Sequence, residues 1–190
     1  MVRIDRLLSN RGYCVRSQAG RFLQDHAVEA SGRPVRREAD RVDEASLTID
    51  GMPIDPASLL VLMNKPVGVV CSHGQEDGEP VYGLLPERWG RRSPPLSTVG
   101  RLDKDSSGLI LLTNDGAFAY RLTHPRFEHE KEYHVLVSGR PSEAALQRWR
   151  AGVLLEGEVT PTARADVQIL RPQPATLASP PGAMGGTWLR

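Results

Sequence analysis

The chain has 190 residues, which is enough for one ordinary domain or for two small ones. Its 39% hydrophobic and 25% charged residues are near the average for globular proteins, and it has neither an apolar run of membrane-spanning length nor a signal-peptide pattern. This composition argues against a membrane or secreted protein and predicts a cytoplasmic location.

Charge is distributed unevenly along the chain. Residues 1–41 contain nine arginines and five acidic residues, so this part carries +4 and the rest −3 within a formal net charge of +1. A basic module on a slightly acidic remainder indicates a polyanion-binding surface at one end of the protein. An arginine-rich face that is simply solvated is the alternative, and charge alone does not separate the two.

The N-terminal residues show helical periodicity. Residues 3–12 predict a short amphipathic helix, because apolar residues recur at 4, 7 and 8 and a glycine follows. A second helix is predicted to start with Ser17 as its N-cap and to bury a face that includes Ala19 and Leu23. Two short strands are expected next, near Val28 and over 47–49.

Strand and helix patterns alternate in the remaining residues. After a linker at 52–58, the apolar run 59–63 predicts a buried strand that stops at a proline. The strongest buried strand is predicted at 109–112, directly before a capped helix at 117–122. This order indicates a mixed α/β or an α+β domain. Of these we expect α+β, with a mixed, mainly antiparallel sheet. Further strands are predicted at 67–71 and 132–137, a helix at 141–151 and a flexible segment at 172–187.

Asp103 lies in a loop bounded by Gly100 and Gly108, immediately before the strongest strand. A carboxylate placed where a rigid strand meets a loop is positioned by the core and is still open to a ligand. Such a group can act as a covalent nucleophile when nearby cations favour its ionised form. Taken alone, an aspartate before two serines and a glycine is more often a turn former than a catalyst.

The residues around Asp103 add a specific pattern. Residues 100–116 read Gly-Arg-Leu-Asp-Lys-Asp-Ser-Ser-Gly-Leu-Ile-Leu-Leu-Thr-Asn-Asp-Gly. This segment resembles the signature motif of bacterial pseudouridine synthases, in the group that includes the small ribosomal-subunit enzyme. Three more features of that family occur in the same order: Asn-Lys-Pro-x-Gly at 64–68, Tyr-x-Leu-Leu-Pro at 82–86 and Glu-Lys-x-Tyr-x-Val at 130–135.

This resemblance implies roles for individual residues. Asp103 would attack the target uridine nucleotide, and the sequence leaves open whether it attacks the ribose or the base. Tyr133 would pack against the uracil and is a candidate base for the C5 proton, with a core-filling tyrosine as the alternative. Arg101 would occupy the space that the extruded nucleotide leaves. No cofactor is implied, because an isomerisation includes no redox or group-transfer step.

The first 50 residues resemble the S4 RNA-binding domain, on the pattern Arg3-Ile4-Asp5, Leu8, Arg16-Ser17 and Ala19. We therefore expect an S4-like domain at 1–51 and a catalytic domain at 59–190. Such a domain implies that arginines hold the RNA mainly by its phosphates. The predicted RNA-binding residues are Arg3, Arg16, Arg21, Lys65, Arg101 and Lys131.

The C-terminal residues depart from the family pattern. Members normally continue past a Trp-Leu-(Arg/Lys) strand into a basic segment that pairs with the nucleophilic aspartate. Here the sequence ends with Thr-Trp-Leu-Arg at 187–190. We therefore expect the catalytic domain to be incomplete at its C-terminus and to lack the basic partner of Asp103.

Other kinds of site have weaker support. Asp103 with Asp105, and Cys71 with His73, have too few companions at ligand spacing for a metal site, so no metal is expected. The leading hypothesis is a ribosomal RNA pseudouridine synthase, most specifically for 16S RNA. A synthase for 23S RNA and a non-catalytic RNA-binding relative are the alternatives. We expect a monomer that acts on ribosomal RNA or on a ribosomal-subunit assembly intermediate.

Overall fold

The structure, a computed structural model, describes residues 1–74, 78–170 and 186–190. It contains two compact units, Met1–His129 and Glu130–Arg190. Within the described residues, no helix is both long and apolar enough to cross a membrane. The prediction of a flexible segment at 172–187 falls largely on 171–185, which lie outside the described residues, whereas Gly186 and Thr187 belong to a strand.

Two helices and six short strands form the N-terminal part of the first unit. Helix α1 (Ile4–Asn10) confirms the first predicted helix, and α2 (Ala19–Asp25) confirms the second. Ser17 is not the N-cap of α2, because it lies inside a 3-10 turn, Arg16–Gln18, and caps nothing with its side chain. The strands are β1 (Val2–Arg3), β2 (Val28–Ala30), β3 (Arg33–Pro34), β4 (Arg41–Val42), β5 (Leu47–Ile49) and β6 (Met52–Pro53).

Residues 2–54 have a hydrophobic core of their own. The predicted periodic positions fill it, with Ile4, Leu7 and Leu8 from α1 and Leu23 from α2 all buried. Strands β2 and β5 pair antiparallel at the centre of a four-stranded sheet with the order β3-β2-β5-β6. Two tight turns close its hairpins, because residue pairs 31–32 and 50–51 all adopt the left-handed conformation with positive φ.

A three-stranded antiparallel sheet, in the order β10-β11-β7, forms the second core of this unit. Strands β7 (Leu60–Lys65) and β11 (Gly108–Thr113) pair along their full length, and β10 (Ser97–Val99) flanks β11. The remaining elements are the parallel pair β8 (Val69–Val70) and β9 (Glu79–Pro80), a 3-10 helix at Val81–Leu84, α3 (Glu87–Gly90) and α4 (Gly116–Thr123).

The structure corrects the prediction that the strands at 59–63 and 109–112 are buried on both faces. One face is buried and contains Ile110 and Leu112. On the other face, the side chains of Leu62 and Leu109 are 68% and 70% exposed. The side chains of a strand alternate between its two faces whatever their polarity. An unbroken apolar run therefore does not show that both faces of the strand are buried.

Among its described residues, the second unit contains a two-stranded antiparallel sheet and a helix. Strand β12 (Val135–Ser138) pairs antiparallel with β13 (Gly186–Leu189), and α5 (Glu143–Ala151) starts at Ser142, whose side chain accepts a hydrogen bond from Ala145 N. Both the predicted strand and the predicted helix of this region are present, with shifted ends. The α+β class with mainly antiparallel sheets is confirmed. The division into domains 1–51 and 59–190 stays a prediction, although the two hydrophobic cores of the first unit lie on either side of 55–58.

Candidate active site

The loop that contains Asp103 joins β10 to β11 and is fixed at both ends. Gly100 and Gly108 adopt positive φ values of 84° and 131°, a region that favours glycine. In the middle of the loop, Leu102 N donates a hydrogen bond to Cys71 Sγ at 3.5 Å, and the Leu102 side chain packs against the core of the sheet. The loop is therefore anchored on the apolar side of Leu102, one residue before Asp103.

The Asp103 side chain is exposed to solvent. Its backbone carbonyl closes the local turn by accepting a hydrogen bond from Ser106 N at 3.1 Å, so the carboxylate is not used as the turn brace. Among the described residues, no hydrogen bond or ion pair of this carboxylate is found. It is therefore free to meet a ligand without breaking an internal contact.

An open concavity of about 400 Å³ lies beside this loop. Its aromatic wall consists of His73 and Tyr82, whose rings stack with centroids 4.0 Å apart and planes 6° from parallel. Thr98 N donates to the Tyr82 hydroxyl at 3.2 Å, which fixes the tyrosine against β10. Gly100 and Arg101 line the same concavity, so a cation and an aromatic pair face one space of nucleotide size.

Sequence reasoning missed the aromatic pair. Tyr82 belongs to a segment that resembles the family pattern, but nothing in its spacing indicated a partner. His73 was considered only as half of a zinc site. Because the stack joins His73 of the segment after β8 with Tyr82 of the 3-10 helix Val81–Leu84, it follows from the tertiary fold and not from local sequence.

Tyr133 and Lys131 belong to the second unit and come just before β12. The Tyr133 side chain is 52% exposed, which argues against the alternative of a core-filling tyrosine. Lys131 is also exposed. Nearby, Glu132 pairs with His134 at 2.9 Å.

The structure contradicts the predicted RNA contact of Lys65. This side chain is fully buried, and its Nζ donates to the carbonyl oxygens of Pro66 and Val69, each at 2.9 Å. A buried ammonium whose donors are directed at internal carbonyls has no path to a phosphate. Lys65 instead ties the end of β7 to β8, a structural role that explains why lysine and proline stand together here.

The structure groups two of the predicted RNA-binding arginines around one carboxylate. Asp5 is buried, and it accepts hydrogen bonds from Arg3 at 2.9 and 3.1 Å and from Arg16 at 3.1 Å. The hydrogen bonds from Arg3 contribute most, and together with the hydrogen bond from Arg16 they outweigh the effect of burial, so the pKa of Asp5 is well below its usual range. A permanent negative charge thus holds both guanidinium groups in place at neutral pH.

These arginines line a second concavity, of about 310 Å³, which also includes Arg6 and Arg41. We name the set of Arg3, Arg6, Arg16 and Arg41 the arginine concavity. Arg6 and Arg41 were missed because one lies on α1 and the other on β4, and only the pairing of β1 with β4 brings them together. Arg21 does not line it; its side chain is 84% exposed on α2 and pairs with Asp25 at 3.4 Å.

The described part of the chain contains no cluster of three or more His, Cys, Asp or Glu side chains with the geometry of a metal site. The Asp103 loop and the concavity beside it combine an accessible carboxylate, an aromatic wall and the guanidinium group of Arg101. Such a set can bind a nucleotide by stacking and by charge, and can offer an oxygen nucleophile to it.

Comparisons with known proteins agree with this chemistry. Residues 59–171 match a family model described as RNA pseudouridylate synthase. The chain is 34% identical over 172 residues to "Ribosomal small subunit pseudouridine synthase A" of Pasteurella multocida, which covers 89% of this chain and 73% of that protein. It is 30% identical over 171 residues to "Ribosomal large subunit pseudouridine synthase B" of Bacillus subtilis, over 87% of this chain and 67% of the relative.

A solved structure described as "Crystal structure of pseudouridylate synthase" is also similar, with 27% sequence identity and a TM-score of 0.54. The match covers all of this chain and 76% of the other. Some relatives are longer still, since the chain spans only 63% of the length of three mycobacterial relatives named as uncharacterized RNA pseudouridine synthases.

Proposed function

We propose, since this chain belongs to the RNA pseudouridylate synthase family, that it converts a specific uridine of ribosomal RNA into pseudouridine with Asp103 as the nucleophile. One observation carries the proposal. The Asp103 carboxylate is exposed and without an internal partner among the described residues, on an anchored loop that also lines a nucleotide-sized concavity through Arg101. A buried or internally bonded carboxylate would not support it.

The reaction requires no exchange of atoms with a cofactor. Asp103 attacks the target nucleotide and forms a transient covalent bond to it, the bond between N1 of uracil and C1′ of the ribose breaks, and the uracil turns. A new bond then forms between C5 and C1′, the bond to Asp103 breaks and releases its carboxylate, C5 loses its proton and N1 gains one, so the product is an isomer of the substrate. In this proposal Tyr133 packs against the uracil and accepts the C5 proton.

Asp103 can reach the target uridine only after this nucleotide has left the base stack of the RNA. Extrusion of a nucleotide costs a few kcal/mol, which contacts with the vacated space must offset. We assign that role to Arg101, whose guanidinium is exposed beside the aromatic wall of His73 and Tyr82. The flat faces of this wall suit stacking by any base, so sequence selection must come from elsewhere.

We assign substrate binding to an S4-like module at 1–51, through the arginine concavity. Two of its four guanidinium groups, those of Arg3 and Arg16, share the Asp5 carboxylate, so the concavity keeps an excess of positive charge that suits the phosphates of an RNA backbone. Arg21 and Lys131, both exposed, are proposed as further phosphate contacts. The protein would act in the cytoplasm as a monomer, on ribosomal RNA or an assembly intermediate of a subunit.

Within ribosomal RNA we favour the 16S molecule of the small subunit. Segments 64–72 and 84–86 are most similar to the small-subunit group, and the Pasteurella relative carries a small-subunit name. The Bacillus relative with a large-subunit name supports a second candidate, a synthase for 23S RNA. An RNA-binding protein without catalysis is the third.

Replacement of Asp103 by asparagine tests the proposal. Asp103→Asn should lower pseudouridine formation in a ribosomal RNA substrate by at least about a thousandfold, because an amide cannot replace the nucleophile. RNA affinity should stay within about twofold, since Asp103 does not bind phosphate. Asp105→Asn, an equally exposed neighbour in the same loop, is the matched control and should keep full activity. If Asp103→Asn retained activity, the assignment of the nucleophile would be wrong.

A further inference from the structure

Three segments that are distant in the sequence meet between the two cores of the first unit. They are residues 10–13 after α1, residues 55–57 of the linker, and residues 88–93 in and after α3. Ser93 N donates to Asn10 O at 3.0 Å, which ties the end of α1 to the segment after α3. We name these three segments the Asp55 joint.

Gly12 shows how closely the segments pack. A Cβ atom at this position would lie 1.9 Å from the carbonyl oxygen of Arg88, so no side chain fits between the two backbones. The φ of Gly12 is +79°, which also favours glycine. This glycine ends α1, as the sequence predicts, and it also lets α3 approach.

Asp55 is the centre of the joint. Its carboxylate accepts two hydrogen bonds from Arg88, at 2.9 and 3.2 Å, and one from Trp89 Nε1 at 2.9 Å. Its backbone N donates to the hydroxyl of Tyr13 at 3.2 Å. One residue of the linker is therefore bonded both to the N-terminal part of the unit and to the segment that leads into β10.

Two buried guanidinium groups complete the joint. The Arg92 side chain is wholly buried; its Nη2 donates to the carbonyl oxygens of Pro56 and Ala57, and its Nη1 lies 3.9 Å from the Asp55 carboxylate. Arg11 is also buried and donates to the carbonyl oxygen of Asp55 at 3.2 Å and to the Glu44 carboxylate. Since a buried cation needs a nearby anion, loss of the Asp55 charge would weaken the packing of Arg92, whereas Arg11 would keep its ion pair with Glu44.

From these contacts we infer that the Asp55 joint fixes the direction from the arginine concavity to the Asp103 loop, so that Asp55 is a positioning residue that selects which uridine reaches the nucleophile. The inference rests on the proposed function. A free linker would let the two modules reorient and would present many uridines around a bound phosphate. A rigid joint presents only the uridines that lie at one distance and in one direction from the phosphates bound in the arginine concavity.

The rigidity of the joint can be tested without any RNA. In Asp55→Asn and in Arg88→Met, amide hydrogen exchange of peptides that cover 52–58 and 86–94 should accelerate at least tenfold relative to the wild-type protein. Peptides from α1 and β11 should be unchanged, which shows that both cores remain folded. Arg91→Met is the matched control, because Arg91 is an exposed neighbour whose side chain, within the described residues, pairs with Glu87 of α3 and not with Asp55. Unchanged exchange in the joint peptides of both variants would overturn the inference.

Kinetics on two substrates test the positioning role. The first is a ribosomal RNA fragment long enough to reach the arginine concavity, and the second is a short hairpin with only the target uridine and its nearest neighbours. Asp55→Asn should lower kcat/KM on the long fragment about tenfold and leave that on the hairpin within twofold. It should also raise the fraction of pseudouridine at neighbouring uridines.

The outcomes distinguish a failure of the positioning role from a failure of the proposed function. Equal losses on both substrates, or no loss on the long fragment, would overturn the positioning role, since a general folding defect affects both substrates alike. If the wild-type protein modified neither RNA, the proposed function would fail. The exchange experiment would still decide whether the joint is rigid.

Discussion

Asp103 is held in place by the residue directly before it. Leu102 directs its side chain into the core and donates its amide to Cys71, while Arg101, two residues before Asp103, lines the concavity. A solvent-facing residue next to an anchored one is held without being covered. The motif in the sequence therefore encodes the position of the proposed nucleophile as well as its chemistry.

The role of Lys65 cannot be inferred from the motif in which it lies. Lysine beside a predicted RNA-modifying motif indicates a phosphate contact, but here the ammonium serves two backbone carbonyls inside the protein. Sequence alone cannot distinguish these roles, because both need a cation at the end of a strand. The deciding fact, complete burial, comes from the packing of β7 against β8 and the loop of 66–68.

Lys65→Met separates the structural role from RNA binding. We expect it to lower the free energy of unfolding by about 2 kcal/mol, because it removes the donor to two carbonyl oxygens in a buried environment and keeps the side-chain length. Urea denaturation measures the loss. RNA affinity of the folded variant at a temperature well below its midpoint should equal that of the wild type. A stable variant with weakened RNA binding would restore the original prediction.

Among the elements, the arginine concavity shows how secondary structure gathers what the sequence disperses. Helix α1 contributes Arg6, the 3-10 turn contributes Arg16, and the β1–β4 pair brings in Arg3 and Arg41. The N-terminal charge excess is visible in the sequence, and so are the first two helices. The membership of Arg41 is not, because it depends on a pairing across about 40 residues of chain.

Arg16→Ala and Arg41→Ala test the concavity as a phosphate site. Each should weaken RNA binding and reduce the slope of log affinity against log salt concentration by about 0.7 to 0.9, the loss of one phosphate contact. Titrations at several salt concentrations measure both quantities. Arg33→Ala is the control, since Arg33 is an equally exposed arginine of β3 outside the concavity. An equal change in slope for the control would show that the effect is one of net charge and not of this site.

The strands β7 and β11 could be predicted from the sequence, but the burial of their faces could not. The runs at 59–63 and 109–112 were recognisable as strands, and the register places Ile110 opposite Met63 and Leu111 opposite Leu62. Which face is buried was not recognisable, because leucine occupies both faces and leaves no alternation to interpret. Burial is decided by what packs on the sheet, and this depends on residues far away in the sequence.

For the whole molecule, the sequence was sufficient for the fold class and the family, while the nucleophile role of Asp103 stays a prediction. It was not sufficient for the Asp55 joint, since its contacts join residues around 10, 55 and 90 that show no shared pattern. A long motif concentrates information in a few adjacent residues, whereas an interface between modules distributes it. The contacts that join the two cores of the first unit therefore appear only in the structure.

The most direct measurement is a map of pseudouridine in 16S and 23S RNA from cells without this gene, complemented with the full gene encoding either the wild-type protein or Asp103→Asn. The account predicts that one 16S uridine loses its modification in the deletion, regains it with the wild-type gene and stays unmodified with Asp103→Asn. Restoration by Asp103→Asn, or an unchanged map of both RNAs in the deletion, would contradict it.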